Sequence, residues 1–104
     1  MVYEERIYTI RPGRMAEYLM NYEELGLPVQ LEVIGNLIGF FRTEIGGLNK
    51  VVHIWGYESL DDRLKKRDEL ARHPDWPAYL AANLPLIEEQ ENRVLIPAAF
   101  SPLK

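Results

Sequence analysis

The chain has 104 residues, of which 47% are hydrophobic and 27% charged, and its formal net charge is −4 with no cysteine. A chain of this length and composition supports one hydrophobic core, so we predict a single globular domain over residues 1–104. The acidic balance disfavours nucleic acid as a partner, and the missing thiols exclude disulfides, thiol nucleophiles and thiolate-bound metals.

The two ends of the chain show no targeting or membrane signal. Three of the first six residues are charged, with no apolar run behind them. The longest apolar run, residues 94–100, is short and contains a proline. Signal peptides and membrane spans need longer uninterrupted apolar segments. We therefore expect a cytoplasmic protein that binds no membrane.

The first third of the sequence predicts a strand and then a helix. Residues 3–10 are rich in aromatic and β-branched side chains, and the Pro-Gly pair that follows is typical of a turn. Apolar residues then recur at helical spacing from residue 15 to residue 22. Gly26 either ends or bends this helix, and Pro28 suits the first turn of a continuation to Val33.

The middle of the sequence predicts a β-hairpin. Residues 36–44 and 49–57 are both strand-like, and Gly46 and Gly47 between them can adopt the positive φ angles of a tight turn. Strands joined by so short a connection must be antiparallel.

The last part of the sequence predicts two helices and a strand. Ser59 can cap a helix that runs to about Arg72, and Asp62 suits its first turn. Asp75 offers a cap for another helix, which Pro85 ends. We assign the last strand to residues 93–100, with a proline that favours an edge or a terminus of the sheet.

This order of elements predicts an α+β fold of the ferredoxin-like βαββαβ kind. Such a domain has a four-stranded antiparallel sheet with both helices on one face. In the third strand Val52 and Ile54 alternate with His53, Trp55 and Tyr57. We place the small aliphatic set under the helices and the aromatic set on the open face.

An open face with that much aromatic surface is unfavourable in water. The simplest cover is a second copy of the same sheet, so we predict a homodimer in which two sheets enclose a barrel. The barrel interior could hold a small-molecule ligand.

Two stretches of the chain resemble the NIPSNAP family. Residues 3–14, YEERIYTIRPGR, are similar to the family's opening strand and turn, and residues 39–55, GFFRTEIGGLNKVVHIW, are similar to its central hairpin. Glu5 stands where the family often has leucine. The resemblance implies a dimeric α+β barrel, in a superfamily that also holds antibiotic biosynthesis monooxygenases, haem-degrading enzymes and muconolactone isomerases. It leaves the reaction open, because animal members are associated with vesicular trafficking and mitochondrial quality control.

His53 is the first candidate for chemistry, as a general acid or base beside aromatic side chains. Arg6 and Tyr8 share one face of the neighbouring first strand, where they could hold an anionic or carbonyl group. The alternatives are a purely structural histidine, and an ion pair of Arg6 with a glutamate such as Glu4 or Glu44. The predicted ligand-binding residues are Arg6, Tyr8, Phe41, Trp55 and Tyr57.

Two further interpretations follow from spacing. Arg67 falls on the helical stripe of Leu60, Leu64 and Ala71, so we expect its stem to cover core while its head reaches a carboxylate or the dimer seam. With His53 and His73 the only histidines, no spacing indicates a metal site, and no motif indicates a cofactor.

We expect either of two functions. The first is a homodimer that binds a small molecule in the barrel, either without catalysis or as an enzyme of proton transfer or cofactor-free oxygenation with His53 as base. The second is a non-enzymatic protein-interaction module, related to trafficking or stress, in which the barrel interior is only core.

Overall fold

The computed structural model describes residues 1–104, and its elements follow the predicted order. The first helix continues through a π-helical turn into a second. The elements are β1 (Val2–Ile10), α1 (Met15–Asn21), a π-helical turn (Tyr22–Gly26), α2 (Leu27–Val33), β2 (Leu37–Arg42), β3 (Lys50–Tyr57), α3 (Leu60–Arg72), α4 (Trp76–Asn83), a 3₁₀ turn (Leu84–Leu86) and β4 (Ile87–Leu95).

The four strands form one antiparallel sheet in the order β2-β3-β1-β4. This is the predicted ferredoxin-like α+β fold. The central pair, β1 and β3, sets Glu4 opposite Trp55 and Arg6 opposite His53. Because directly opposite residues share a face, the topology itself brings Arg6 next to His53, as the sequence predicted.

The helices cover the aromatic face of the sheet, so our assignment of the two faces was wrong. Val51, His53, Trp55 and Tyr57 are at most 1% exposed. The apolar members of this set pack in one core with helical residues such as Tyr18, Tyr22, Leu70 and Tyr79. Val52 and Ile54 are on the open face instead. The alternation of side chains along a strand separates the two faces of a sheet but does not say which face the helices cover. Here the larger side chains fill the space between the sheet and the helices.

The helical segment before β2 buries every fourth residue. Tyr18, Tyr22, Gly26, Gln30 and Ile34 are all buried. Because an ordinary α-helix has 3.6 residues per turn, such a series would drift around the helix, and a wider π-helical turn compensates for the drift. The predicted bend at Gly26 is therefore this π-helical turn, and Pro28 lies in the first turn of α2.

Helix α3 begins as predicted but buries a different face. The Ser59 hydroxyl accepts a hydrogen bond of 3.0 Å from the Asp62 backbone N–H, which confirms the cap. Leu60 and Leu64 are 57% and 68% exposed, so the expected apolar stripe is wrong. Arg67 and Leu70 lie on the inner side instead. None of the helices has the length and hydropathy needed to cross a bilayer.

Strand β4 begins earlier than predicted, at Ile87 rather than residue 93, and ends at Leu95. The missed residues are almost all polar, which conceals the strand in the sequence. They are tolerated because β4 is an edge strand that is largely exposed to solvent.

Candidate ligand-binding cavity

A cavity of about 160 Å³ lies between the sheet and the helices. It is separate from the open face of the sheet, where we had expected a ligand. Aromatic and leucine side chains line one part of it, and two arginines, two glutamines and a histidine line the rest. The lining residues are Arg6, Tyr8, Tyr22, Gln30, His53, Arg67, Trp76, Tyr79, Leu80, Leu84 and Gln90.

Trp55 determines the hydrogen-bonding state of His53. The indole Nε1–H of Trp55 donates a hydrogen bond of 2.8 Å to His53 Nδ1. An indole can only donate, so Nδ1 carries the lone pair and the neutral ring carries its proton on Nε2. Nε2 is buried and has no hydrogen-bond partner. The imidazole therefore presents a free donor in a side chain that lines the cavity.

The surroundings of His53 keep the ring neutral. Burial, and then the positive charge of Arg6, lower the pKa of His53 from 6.5 to about 3. Phe40 stacks on the ring at 4.8 Å between centroids, and Tyr8 meets it edge-on at 5.0 Å. These contacts exclude the water that would stabilise a charged imidazole. The predicted general base at His53 does not fit this arrangement.

Glu4 anchors a buried polar network beside the cavity. Its side chain is 0% exposed, and Oε2 accepts hydrogen bonds from Arg6 at 3.0 Å, Arg63 at 2.6 Å and Asn92 at 2.7 Å. Burial alone would raise the pKa of Glu4, but the hydrogen bonds and the arginine charges outweigh burial and hold that pKa below its ordinary 4.5. The ion pair between Arg6 and Glu4 is the alternative that the sequence had left open.

Arg6 is thereby fixed in one orientation at the cavity wall. Besides its contact with Glu4, its Nε donates a hydrogen bond of 2.7 Å to the Tyr8 hydroxyl. The network therefore both neutralises the charge of Arg6 and holds its side chain against the lining.

Arg67 has no such partner. Its guanidinium makes no hydrogen bond and no ion pair within the protein. Of the two partners that we expected for it, the carboxylate is therefore absent, and the dimer seam stays a prediction. Arg63, four residues earlier on α3, is paired with Glu4 at 2.6 Å. Arg67 therefore contributes an unpaired positive charge to the cavity lining.

The structure brings together three of the six predicted site residues. Arg6, Tyr8 and His53 line the cavity. Trp55 and Tyr57 are buried core residues outside the lining, and Phe41 is 57% exposed on the open face. The cause at Phe41 is a β-bulge between Leu37 and Gly39, which shifts the pairing so that Phe40 rather than Phe41 shares the face of His53.

Tyr22 and Gln30 were missed in the sequence. The Tyr22 hydroxyl donates a hydrogen bond to Gln30 Oε1, so the amide oxygen is engaged and the amide N–H groups remain free. The available signal was that both residues belong to the series in which every fourth residue is buried. A glutamine at a buried position is unusual and therefore points to a specific role. Trp76 and Tyr79 of α4 also line the cavity, although neither of them was assigned to a site from the sequence.

The sequence model of the NIPSNAP family matches residues 3–102. The protein NipSnap of Drosophila melanogaster is 40% identical over 97% of this chain, and NipSnap homolog 2 of Danio rerio is 36% identical over 99%. The chain spans about a third of the length of these relatives, at 36% and 35%.

Solved structures show the same fold. A crystal structure of a NIPSNAP family protein from Agrobacterium tumefaciens is 50% identical, with a TM-score of 0.96 over 99% of this chain and 98% of that one. A crystal structure of an antibiotic biosynthesis monooxygenase superposes with a TM-score of 0.68 over 94% of this chain and 99% of that one, at 11% identity. The second likeness concerns the fold alone.

Proposed function

The chain belongs to the NIPSNAP family, and from that premise we propose that it binds a small organic molecule in the cavity between its sheet and its helices. One observation carries the proposal: His53, 1% exposed, lines the cavity with its Nε2 donor unpaired. A buried donor without a partner costs about 1–3 kcal/mol. A ligand that accepts a hydrogen bond from Nε2 would remove this cost.

The size of the cavity supports a small ligand. Its volume of about 160 Å³ is close to the ~150 Å³ of an engineered protein cavity that binds benzene. A single ring or a short-chain metabolite fits such a space, whereas drug-sized ligands occupy about 300 Å³ or more.

The lining favours binding over proton abstraction. His53 stays neutral and its only lone pair is engaged by Trp55. Burial raises the pKa of Tyr22 and of Tyr79 above the ordinary 10, so neither phenol ionises near neutral pH. No carboxylate lines the cavity. These groups can orient and polarise a ligand, as a neutral histidine donor does towards a carbonyl.

A cavity-filling variant tests the proposal. We expect single-ring fragments, screened by ligand-observed NMR, to bind the wild type and to lose binding in Leu80→Phe, which enlarges a lining side chain. Leu64→Phe on the exposed face of α3 is the matched control. Fragments that bind both variants equally, or a screen with no binders, would overturn the proposal and favour the non-enzymatic interaction module.

We also propose that the protein forms a homodimer through the open face of its sheet. Phe41, Ile38 and Leu95 are 57%, 36% and 42% exposed there, and Val52 and Ile54 are half-buried. An apolar groove of about 240 Å³ runs beside Ile38, Ile54 and Leu95. A second copy would cover this face by symmetry, with about 25 cal/mol gained per Å² of apolar surface buried.

A further inference from the structure

The structure assigns a class of ligand to the cavity: a flat carboxylic acid of about the size of one aromatic ring, held as its carboxylate by Arg67. This inference rests on the proposed binding function and adds the charge and shape of the molecule. It draws on three observations, namely the unpaired guanidinium, the free donors of His53 and Gln30, and the flat apolar remainder of the lining.

Arg67 supplies the charge. It lines the cavity with no hydrogen bond or ion pair, whereas the other lining arginine, Arg6, is neutralised by Glu4 at 3.0 Å. Since no aspartate or glutamate lines the cavity, the unpaired charge has no counter-ion within it. A guanidinium binds carboxylates through two parallel hydrogen bonds, which makes a carboxylate its best-matched small anion.

Two of the neighbouring polar groups offer free hydrogen-bond donors to a ligand. His53 offers Nε2–H because its Nδ1 is engaged by Trp55. Gln30 offers its amide N–H groups because its oxygen accepts from Tyr22. A ligand in contact with these two groups gains from acceptor atoms, which an ionised acid has in both carboxylate oxygens and an amine lacks. Gln90 and the tyrosine hydroxyls of the lining keep acceptor atoms, so the unpaired charge of Arg67, rather than hydrogen bonding alone, favours an acid over an amide.

The remaining lining residues are apolar or aromatic, and they determine the shape of the part of the ligand that carries no charge. Tyr22, Trp76 and Tyr79 present rings, and Leu80 and Leu84 present aliphatic surface. Trp76 and Tyr79 lie 4.7 Å apart between centroids. Aromatic walls favour a flat, conjugated body through stacked or edge contacts, at about 0.5–1.5 kcal/mol for each ring pair.

Benzoate, benzamide and benzylamine test the assignment, because they share one ring and differ in charge and hydrogen-bonding groups. By NMR titration at pH 7 we expect benzoate to bind wild type at least about tenfold more tightly than benzamide, with no binding of benzylamine. Arg67→Gln should remove the preference for benzoate and leave benzamide unchanged. Arg72→Gln, on the same helix but 3.0 Å from Asp68 at the surface, should behave as wild type.

The outcomes separate the two proposals. Equal binding of benzoate and benzamide, or an unchanged preference in Arg67→Gln, overturns the carboxylate assignment and leaves the binding function standing. Failure of all three probes to bind overturns the assignment and counts against the binding function as well. Should circular dichroism show that Arg67→Gln is unfolded, Arg67→Lys decides: it keeps the charge but not the planar fork, so the preference should shrink without vanishing.

Discussion

The indole of Trp55 holds the imidazole of His53, two residues earlier on the same strand, through a hydrogen bond of 2.8 Å from Nε1 to Nδ1. This bond uses the only lone pair that a neutral imidazole could offer as a base. It also leaves the other ring nitrogen as a donor inside the protein. Because of Trp55, which lies on the same side of the strand, His53 is a hydrogen-bond donor rather than the predicted proton acceptor.

Removing this imidazole should flatten the dependence of stability on pH. The unfolded chain takes up a proton at His53 near pH 6.5, but the folded protein does so only near pH 3, so acidification favours unfolding. Between pH 7 and pH 5 we expect the free energy of unfolding to fall by up to about 1.4 kcal/mol per pH unit. His53→Asn, which can still accept from Trp55, should remove most of that slope in urea titrations.

His73 provides the matched control for this prediction. It lies at the end of α3, where its Nε2 is 2.8 Å from Glu32 at the surface. Comparison of His53→Asn with His73→Asn separates the contribution of the buried imidazole from that of the other histidine. A slope that survives His53→Asn would contradict the assignment of the buried titration to His53.

Neutralising Glu4 should destabilise the protein strongly. Glu4→Gln leaves Arg6 and Arg63 without their shared counter-charge, and loss of one partner in a buried ion network costs about 3–5 kcal/mol. Because the pKa of Glu4 is held below 4.5, this stabilisation is complete above pH 4.5 and lost as the pH falls further. Urea unfolding at pH 7 and below pH 4.5 measures both effects.

Glu5→Gln is the control for Glu4. Glu5 is the next residue on β1 and faces the open side, where it is 2.9 Å from a half-exposed Arg93. Surface pairs contribute about 0–1 kcal/mol, so we expect little change. Equal losses in the two variants would contradict the central role of Glu4.

Adding a methyl group to Gly26 should destabilise the π-helical turn. A Cβ there would lie 2.8 Å from Tyr79 Cδ1 and 2.9 Å from Tyr22 Cδ1. At a helical glycine with φ of −93°, alanine would otherwise stabilise by about 1 kcal/mol. We expect Gly26→Ala to lower the free energy of unfolding by about 1–3 kcal/mol instead.

The sign of the change is the test of this close packing. A more stable Gly26→Ala would show that Tyr22 and Tyr79 can move aside, and therefore that this wall of the cavity is not tightly packed. Leu25→Ala, in the same turn but 37% exposed, should cost less than Gly26→Ala.

Placing a charge on the open sheet face should separate the proposed dimer. We expect wild type to sediment as a dimer at micromolar concentration, with a melting temperature that rises with protein concentration. Phe41→Asp should sediment as a monomer that melts at a lower temperature. Leu64→Asp, on a comparably exposed residue of α3, should remain dimeric. A wild type that is monomeric throughout would contradict the proposal.

The sequence contained enough local signals for the order of elements. Pro12 and Gly13 mark the end of β1, and Ser59 marks the start of α3. Gly46 and Gly47 adopt the expected positive φ angles, but the connection is longer than the predicted tight turn, because β2 ends at Arg42 and β3 begins at Lys50. These signals act over a few residues, so they can be interpreted without knowledge of the packing. These local signals fail in β4. Its polar side chains lie at an exposed sheet edge, where water satisfies their hydrogen bonds, so the sequence shows no strand pattern.

The placement of the site needed information that local signals do not carry. Alternation in β3 separates His53 from Val52 but does not say which of them meets the helices. The bulge before Gly39 moves Phe40 to the side of His53, and a bulge has no reliable sequence marker. For Arg67 we expected a carboxylate or the dimer seam as a partner, because stability alone gives no reason to leave a charge unpaired at a cavity.

The π-helical turn makes the number of residues before β2 as important as their identity. Deleting one residue between Tyr22 and Gly26 would leave a chain well able to form ordinary α-helix. An ordinary α-helix closed over that deletion would keep the segment beyond it in its present orientation, because the π-helical turn takes up one residue more than an α-helical path between the same ends. Straightening the turn at its full length would instead rotate α2 by about 100° relative to α1, which would move Gln30 out of the cavity and Val29 out of the core. We therefore expect this segment to tolerate the loss of one exposed residue better than conversion to ordinary α-helix at constant length.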